Sequence, residues 1–164
     1  MSLSSELRNG VNNQQFLCGW PSLTAKAKLT TIQIQEMLKT HRDVQSNIGD
    51  ALAHCIDECY SCAATCTICA DACLAEKTVE QLKQCIRLNL DCADVCIGTG
   101  KLASRRTGSD GRSLKQVLQV RGEACRICGE ECRRHAKAHE HCRICAEACQ
   151  QCEEACRAAV QDVG

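Results

Sequence analysis

Cys59, Cys62, Cys66, Cys69 and Cys73 follow one another at intervals of three, four, three and four residues, and Cys142, Cys145, Cys149, Cys152 and Cys156 repeat that series step for step. This is the spacing of a coiled-coil seam, with thiols in place of leucines. Because an α-helix turns once every 3.6 residues, each series projects from a single stripe, so the face each helix turns to its neighbours is sulfur.

Two more segments carry the pattern, and four helices are predicted. The first runs from about Val44 to Ala75 with Asp43 or Asn47 as N-cap and carries Cys55, Cys59, Cys62, Cys66, Cys69 and Cys73. The second, from about Val79 to Ala103 after a Thr78 cap, carries Cys85, Cys92 and Cys96, with Asn89 at the heptad place between the first two. Ser104–Gly111, rich in Gly, Ser and Arg, breaks the pattern. The third, about Ser113 to Ala138, opens on Leu114, Val117 and Leu118 and continues through Cys125, Cys128, Cys132, His135 and His139. The fourth, about Glu140 to Val160, bears the second full series beginning at Cys142. Short links make neighbours antiparallel, so the expected fold is all-α: an up-down-up-down four-helix bundle with a cysteine-lined core over residues 43–164. Residues 1–42 form an extension with a short helix from about Leu29 to Thr40, an apolar cluster at Phe16, Leu17, Trp20 and Pro21, and the remaining cysteine, Cys18.

Phe16, Trp20 and Tyr60 are the sole aromatic residues, so cysteine has to fill most of the interior. Cysteine is itself a small, readily buried residue, and one or two could be mere packing. Seventeen in register argue for chemistry. Parallel side chains on one helix, and facing helices about 8–10 Å apart, suit disulfides poorly, so reduced thiols in a reducing cytosol are expected. Buried without metal, they should titrate above their usual range, stay neutral and let the chain fold before loading.

Lys plus Arg and Asp plus Glu both total 20, which removes the electrostatic case for nucleic acid or an anionic membrane. No apolar run is long enough to cross a bilayer, and Met1–Gly10 carries neither a signal-peptide pattern nor a twin arginine, so a cytoplasmic location is expected. No phosphate loop or nucleophile motif is visible, and CxxC here sits in mid-helix outside any βαβ setting, so an enzyme is not expected.

Soft thiolates select Cu(I), with zinc and iron-sulfur clusters as competitors, and sulfur counts alone do not separate the three. Paired zinc knuckles and the ferredoxin CxxCxxC run ending in Cys-Pro are absent, whereas a tube of adjoining CxxC and CxxxC pairs offers many sites for an ion content with two or three sulfurs. The alternatives are an iron-sulfur or zinc-binding redox or electron-transfer protein, and a structural or interaction module in which cysteine is packing and the N-terminal Phe16–Trp20 cluster binds a protein partner. His135, His139 and His141 gather where the third helix meets the fourth and are candidate outer ligands at a polar mouth. Ile48, Leu52, Leu114, Leu118 and Val160 make an apolar plug at the other end. His41 and His54 are expected to be solvated, Asn89 to be a hydrogen-bonded core residue, and Arg121, which falls on the sulfur stripe, to swing outward.

From about Leu38 onward the chain resembles the bacterial copper storage proteins, in particular their cytosolic branch. The resemblance lies in CIDECYSCAATCTICADACLAEK at 55–77, QCIRLNLDCADVC at 84–96 and CRICGEECRRHAKAHEHCRICAEACQQCEEAC at 125–156. It implies a four-helix bundle, often a homotetramer, whose lumen stores many Cu(I) ions. It implies ligand roles for the 17 core cysteines and for His135, His139 and His141 near the open end.

Overall fold

A computed structural model describes residues 33–43 and 49–163. The elements described are helical throughout: α1 over 33–39, α2 at Asp50–Leu74, a 3-10 turn at Val79–Leu82, α3 at Lys83–Ser104, α4 at Gly111–His135 and α5 at Glu140–Asp162. Helix α2 packs on α3 and α5, and α4 packs on α3 and α5, so the four long helices close a ring around one interior.

The helix ends differ from the sequence expectation in instructive ways. Helix α2 begins at Asp50 behind Gly49, which contributes no side-chain cap; Asp43 is therefore not its cap, and Asn47 and Ile48 lie outside the described residues. Thr78 stands before the 3-10 turn and caps nothing with its side chain, so α3 starts four residues late, at Lys83. Helix α4 starts early because the Asp110 carboxylate accepts the Ser113 N–H at 2.8 Å, after a turn in which Gly108 takes φ 60°. It ends at His135, three residues before the expected Ala138, and α5 runs on to Asp162.

The outer faces are laced by pairs one turn apart: Arg126 with Glu123 and Glu130, Arg143 with Glu140 and Glu147, and Arg87 with Asp91. Exposed pairs of this kind contribute a few tenths of a kcal/mol each. They mark the solvent side; burial of the opposite stripe holds the ring together.

That interior has two parts. Along most of its length it is sulfur, with Cys62, Cys66, Cys69, Cys73, Cys85, Cys92, Cys96, Cys125, Cys128, Cys132, Cys142, Cys145, Cys149 and Cys152 forming one buried cluster with Ala63, Ala93 and Ala146. At one end it becomes hydrocarbon: Leu52, Ile56, Leu114, Leu118, Ala155 and Ala159 pack together beside Cys55, Cys59 and Cys156, with Val160 against them. The expected plug is present among its described members. Helix α1 adds Leu38, 7% exposed, and Ile34 to this hydrocarbon end, so part of the N-terminal extension caps the bundle. The cluster at Phe16–Pro21 and Cys18 lie outside the described residues.

Candidate metal centre

All 17 described cysteines are buried and free, each no more than 2% exposed. Between α2 and α5 the sulfurs meet as Cys55–Cys156 at 3.8 Å, Cys62–Cys149 at 3.9 Å, Cys66–Cys145 at 3.7 Å and Cys73–Cys142 at 4.0 Å. Between α3 and α4 they meet as Cys85–Cys132 at 3.7 Å, Cys92–Cys125 at 3.8 Å and Cys96–Cys125 at 3.7 Å. Contacts also run along a helix, as in Cys62–Cys66 and Cys92–Cys96, because residues four apart stack one above the other.

Three-dimensional proximity turns these pairs into a ladder. Cys62, Cys96, Cys125 and Cys152 hold their sulfurs within 4.8 Å of one another, as do Cys62, Cys66, Cys92 and Cys149, and again Cys66, Cys128, Cys145 and Cys149. The same holds for Cys69, Cys132 and Cys145 and, with a ring nitrogen, for Cys69, Cys73, Cys142 and His141. Each group shares a member with the next: Cys62, then Cys66 and Cys149, then Cys145, then Cys69. An ion bound anywhere has a neighbouring site one sulfur away. Cys85 joins the ladder through Cys132, Cys55 and Cys156 extend it toward the hydrocarbon end, and Cys59 is fully buried between Cys55 and Cys62 on the same stripe.

The three histidines are placed differently from one another. His141 turns Nδ1 onto Cys142 at 3.4 Å, Cys69 at 3.5 Å and Cys73 at 3.8 Å, which makes it part of the sulfur ladder. Its Nε2 lies 3.4 Å from Glu76 Oε1, an arrangement that fixes the ring's tautomer and orientation. His139 directs Nδ1 to the same Glu76 oxygen at 3.2 Å, and His135 directs Nε2 to Glu131 at 3.1 Å. His54 is exposed, as expected, and half-buried His41 bonds to Thr107 and accepts from the Asp43 N–H. Glu131 is legible in retrospect, since it precedes His135 by one helical turn. Glu76 lies in the α2–α3 link and carries no such signal.

Asn89 is fully buried inside the sulfur cluster. Its amide donates to the Cys85 carbonyl at 2.9 Å, and its Oδ1 lies 2.9 Å from Cys145 Sγ and 3.4 Å from Cys128 Sγ. It is the hydrogen-bonded core residue that the heptad position implied.

Arg121 does not swing outward. It is fully buried, with Nη1 donating to the Cys152 carbonyl at 2.7 Å and the two Nη atoms in contact with the sulfurs of Cys156 and Cys152. Outward rotation would carry the side chain away from these acceptors, and a buried guanidinium is tolerated where polarisable, ionisable groups surround it. Burial opposes its charge, but Cys59, Cys156, Cys125 and Cys96 outweigh burial and hold Arg121 above its usual range.

The thiols are correspondingly not uniform. Hydrogen bonding with Cys156 pushes Cys55 up, bonding with Cys128 does the same to Cys66 and bonding with Cys62 to Cys125, each reinforced by burial. Burial, then the nearby Cys73, pushes Cys142 up to about 12. Cys156 goes the other way: the Cys55 thiol bonds to it, burial opposes, and the Arg121 charge helps bring it down to about 7. Cys96 is brought down as well, chiefly by its bond with Cys125, and Cys132 and Cys149 chiefly by theirs with Cys128, so the expectation of neutral thiols fails along the ladder and not only beside the Arg121 cation.

A family model described as copper storage protein matches residues 48–161. The chain belongs to the copper storage protein family. Among solved structures it is similar to the Streptomyces lividans copper storage protein Ccsp loaded with 10 copper equivalents, at 49% identity and a TM-score of 0.75, over 78% of this chain and 98% of that one. A five-copper form of the cytosolic copper storage protein from the same organism is 54% identical, with a TM-score of 0.68, over 68% of this chain and 93% of that one. A Bacillus subtilis (strain 168) relative known as the uncharacterized cysteine-rich protein YhjQ is 38% identical over 104 residues, 63% of this chain and 91% of its own length. In this copper storage family member the match begins just before α2 and takes in every core cysteine.

Proposed function

We propose that this chain stores Cu(I) in the cytosol, holding many ions on the core cysteines of an antiparallel up-down-up-down four-helix bundle and releasing them without chemical transformation. The observation that carries this reading is the sharing of sulfurs between successive groups. A structural zinc site would isolate one closed tetrahedron; here adjoining groups use common ligands, which suits an ion content with few thiolates and able to share them. Support for the antiparallel course comes from the order of contacts, since Cys55, Cys62, Cys66 and Cys73 meet Cys156, Cys149, Cys145 and Cys142 in reverse sequence. Residues 43–164 constitute the storage unit, and residues 1–42 an extension that covers the hydrocarbon end with α1.

The ligands in this reading are Cys55, Cys59, Cys62, Cys66, Cys69, Cys73, Cys85, Cys92, Cys96, Cys125, Cys128, Cys132, Cys142, Cys145, Cys149, Cys152 and Cys156. His141 joins them directly, while His135 and His139 act near the mouth through their carboxylate partners. Each ion entering a neutral thiol displaces its proton, so the interior stays close to neutral as it fills. Exposed Ile68, Leu74, Val120 and Ile144 supply apolar surface for assembly as a homotetramer.

Anaerobic titration of the reduced chain with Cu(I) against a competing chelator tests the proposal. Uptake comparable to the 17 core thiols, in a colourless protein, is the expected result. Saturation at one or two ions, or a brown protein containing iron, would overturn it.

A further inference from the structure

Arg121 is a permanent cation sealed inside the sulfur ladder, at its junction with the hydrocarbon end. It touches Cys152 and Cys156 directly, and Cys55 Sγ lies 3.8 Å from Nη1. Cys152 also belongs to the four-sulfur group with Cys62, Cys96 and Cys125, so the guanidinium abuts the last rung. Its Nε–H is buried without a partner. A guanidinium cannot lose its proton in a protein, and an uncompensated buried charge costs several kcal/mol, so the surrounding sulfur must supply negative charge whether or not copper is bound.

Copper alone does not supply that charge. Cu(I) that displaces one thiol proton leaves the core neutral; Cu(I) held by two thiolates leaves it with one negative charge, which a dry, apolar surrounding rejects. We propose that Arg121 is the built-in counter-cation of the copper column, allowing the Cys55–Cys152–Cys156 end to hold Cu(I) on one more thiolate than the number of ions. In that complex, the thiolate already paired with the guanidinium and one further sulfur, whose thiol gives its proton to solvent, together bind one Cu(I), and the net negative charge of the pair is matched by the guanidinium. Arg121 is thus a positioning residue: it acts on copper through sulfur, and its own carbonyl bond to Cys152 keeps it in register while the ladder fills. This inference rests on the storage reading above.

The test compares full-length chains bearing Arg121→Met and Arg121→Lys with the unaltered chain, each saturated anaerobically with Cu(I), challenged with a chelator, and counted by native mass spectrometry. Arg121→Met is expected to retain about one Cu(I) fewer, because the paired thiolate loses its counter-charge, and Arg121→Lys to restore the count. Equal retention by Arg121→Met, or an equal deficit in Arg121→Lys, would overturn the inference, since shape and packing alone would then account for Arg121. Should Arg121→Met fail to fold by circular dichroism, the crystal structure of the copper-loaded unaltered chain decides. A guanidinium still against the copper-bound sulfurs of Cys152 and Cys156 supports the assignment; a guanidinium expelled to the surface defeats it. An unaltered chain that takes up no copper defeats the storage reading and this inference together, whereas normal loading with an indifferent Arg121→Met defeats this inference alone.

Discussion

Two glycines on α4, one turn pair apart, should respond oppositely to the same substitution. A Cβ added at Gly122 would meet nothing nearer than Cys156 Cβ at 3.8 Å, an ordinary contact. Gly122→Ala therefore keeps the helix-propensity gain of about 1 kcal/mol and should stabilise the reduced apo-protein by roughly that amount. A Cβ at Gly129 would lie 3.2 Å from Cys149 Cβ and 3.6 Å from the Ala146 carbonyl. Neither atom can rotate away, because one is fixed to the backbone and the other belongs to it. Relief requires α4 and α5 to separate by a few tenths of an ångström, and overpacking of this kind costs about 1–3 kcal/mol. Set against the same propensity gain, Gly129→Ala comes out neutral to about 2 kcal/mol destabilising. Urea unfolding under reductant, followed by circular dichroism, measures both. The displaced helix carries Cys149, which two four-sulfur groups share, so Gly129→Ala should also yield copper to a chelator more readily. Equal stabilisation by the two alanines would refute the argument that close α4–α5 approach sets the sulfur spacing.

Three further outcomes follow from the site. The urea midpoint of the reduced apo-protein should fall as pH rises above 9, while the copper-loaded form should hold: Cys142 is raised from 9.0 in the unfolded chain to about 12 when folded, so its contribution is complete below pH 9 and is lost between 9 and 12. Leu118→Ala, at a fully buried position in the hydrocarbon end, should cost about 2–5 kcal/mol in the same unfolding assay; an accompanying drop in copper stoichiometry at full folding would contradict the separation of plug from column. His141→Ala should weaken retention at the mouth in chelator competition and His135→Ala should leave the saturated count unchanged, because His141 alone of the two lies against sulfur; the reverse order would exclude the proposed ranking.

The sulfur stripes were legible because one simple period governs them: spacings of three and four put a side chain on one face of a helix whatever its neighbours are, and all 17 were found buried. Helix starts were less legible. Asp43, Asn47 and Thr78 each have the chemistry of an N-cap, but a cap is decided by where the backbone turns, and the α2–α3 link spends its last residues in a 3-10 turn that the apolar pattern does not encode. Asp110 shows the reverse case: it lies in a stretch read as a break, and its carboxylate starts α4.

Arg121 shows why the interior could not be read from hydropathy alone. Its position in the stripe pointed inward, and its charge argued outward, a conflict that is resolved against burial when the core is hydrocarbon. Sulfur changes the balance, since a thiol beside a guanidinium can become a thiolate, and one proton then leaves in place of an unpaired cation. The same substitution of polarisable for inert atoms accounts for Asn89, whose amide donates to Cys85 Sγ and accepts from Cys145 Sγ where leucine side chains would have offered no partner. Register was therefore the better guide than polarity in this core. A polar residue on a cysteine stripe faces inward because the lining there can bond to it or take up its countercharge.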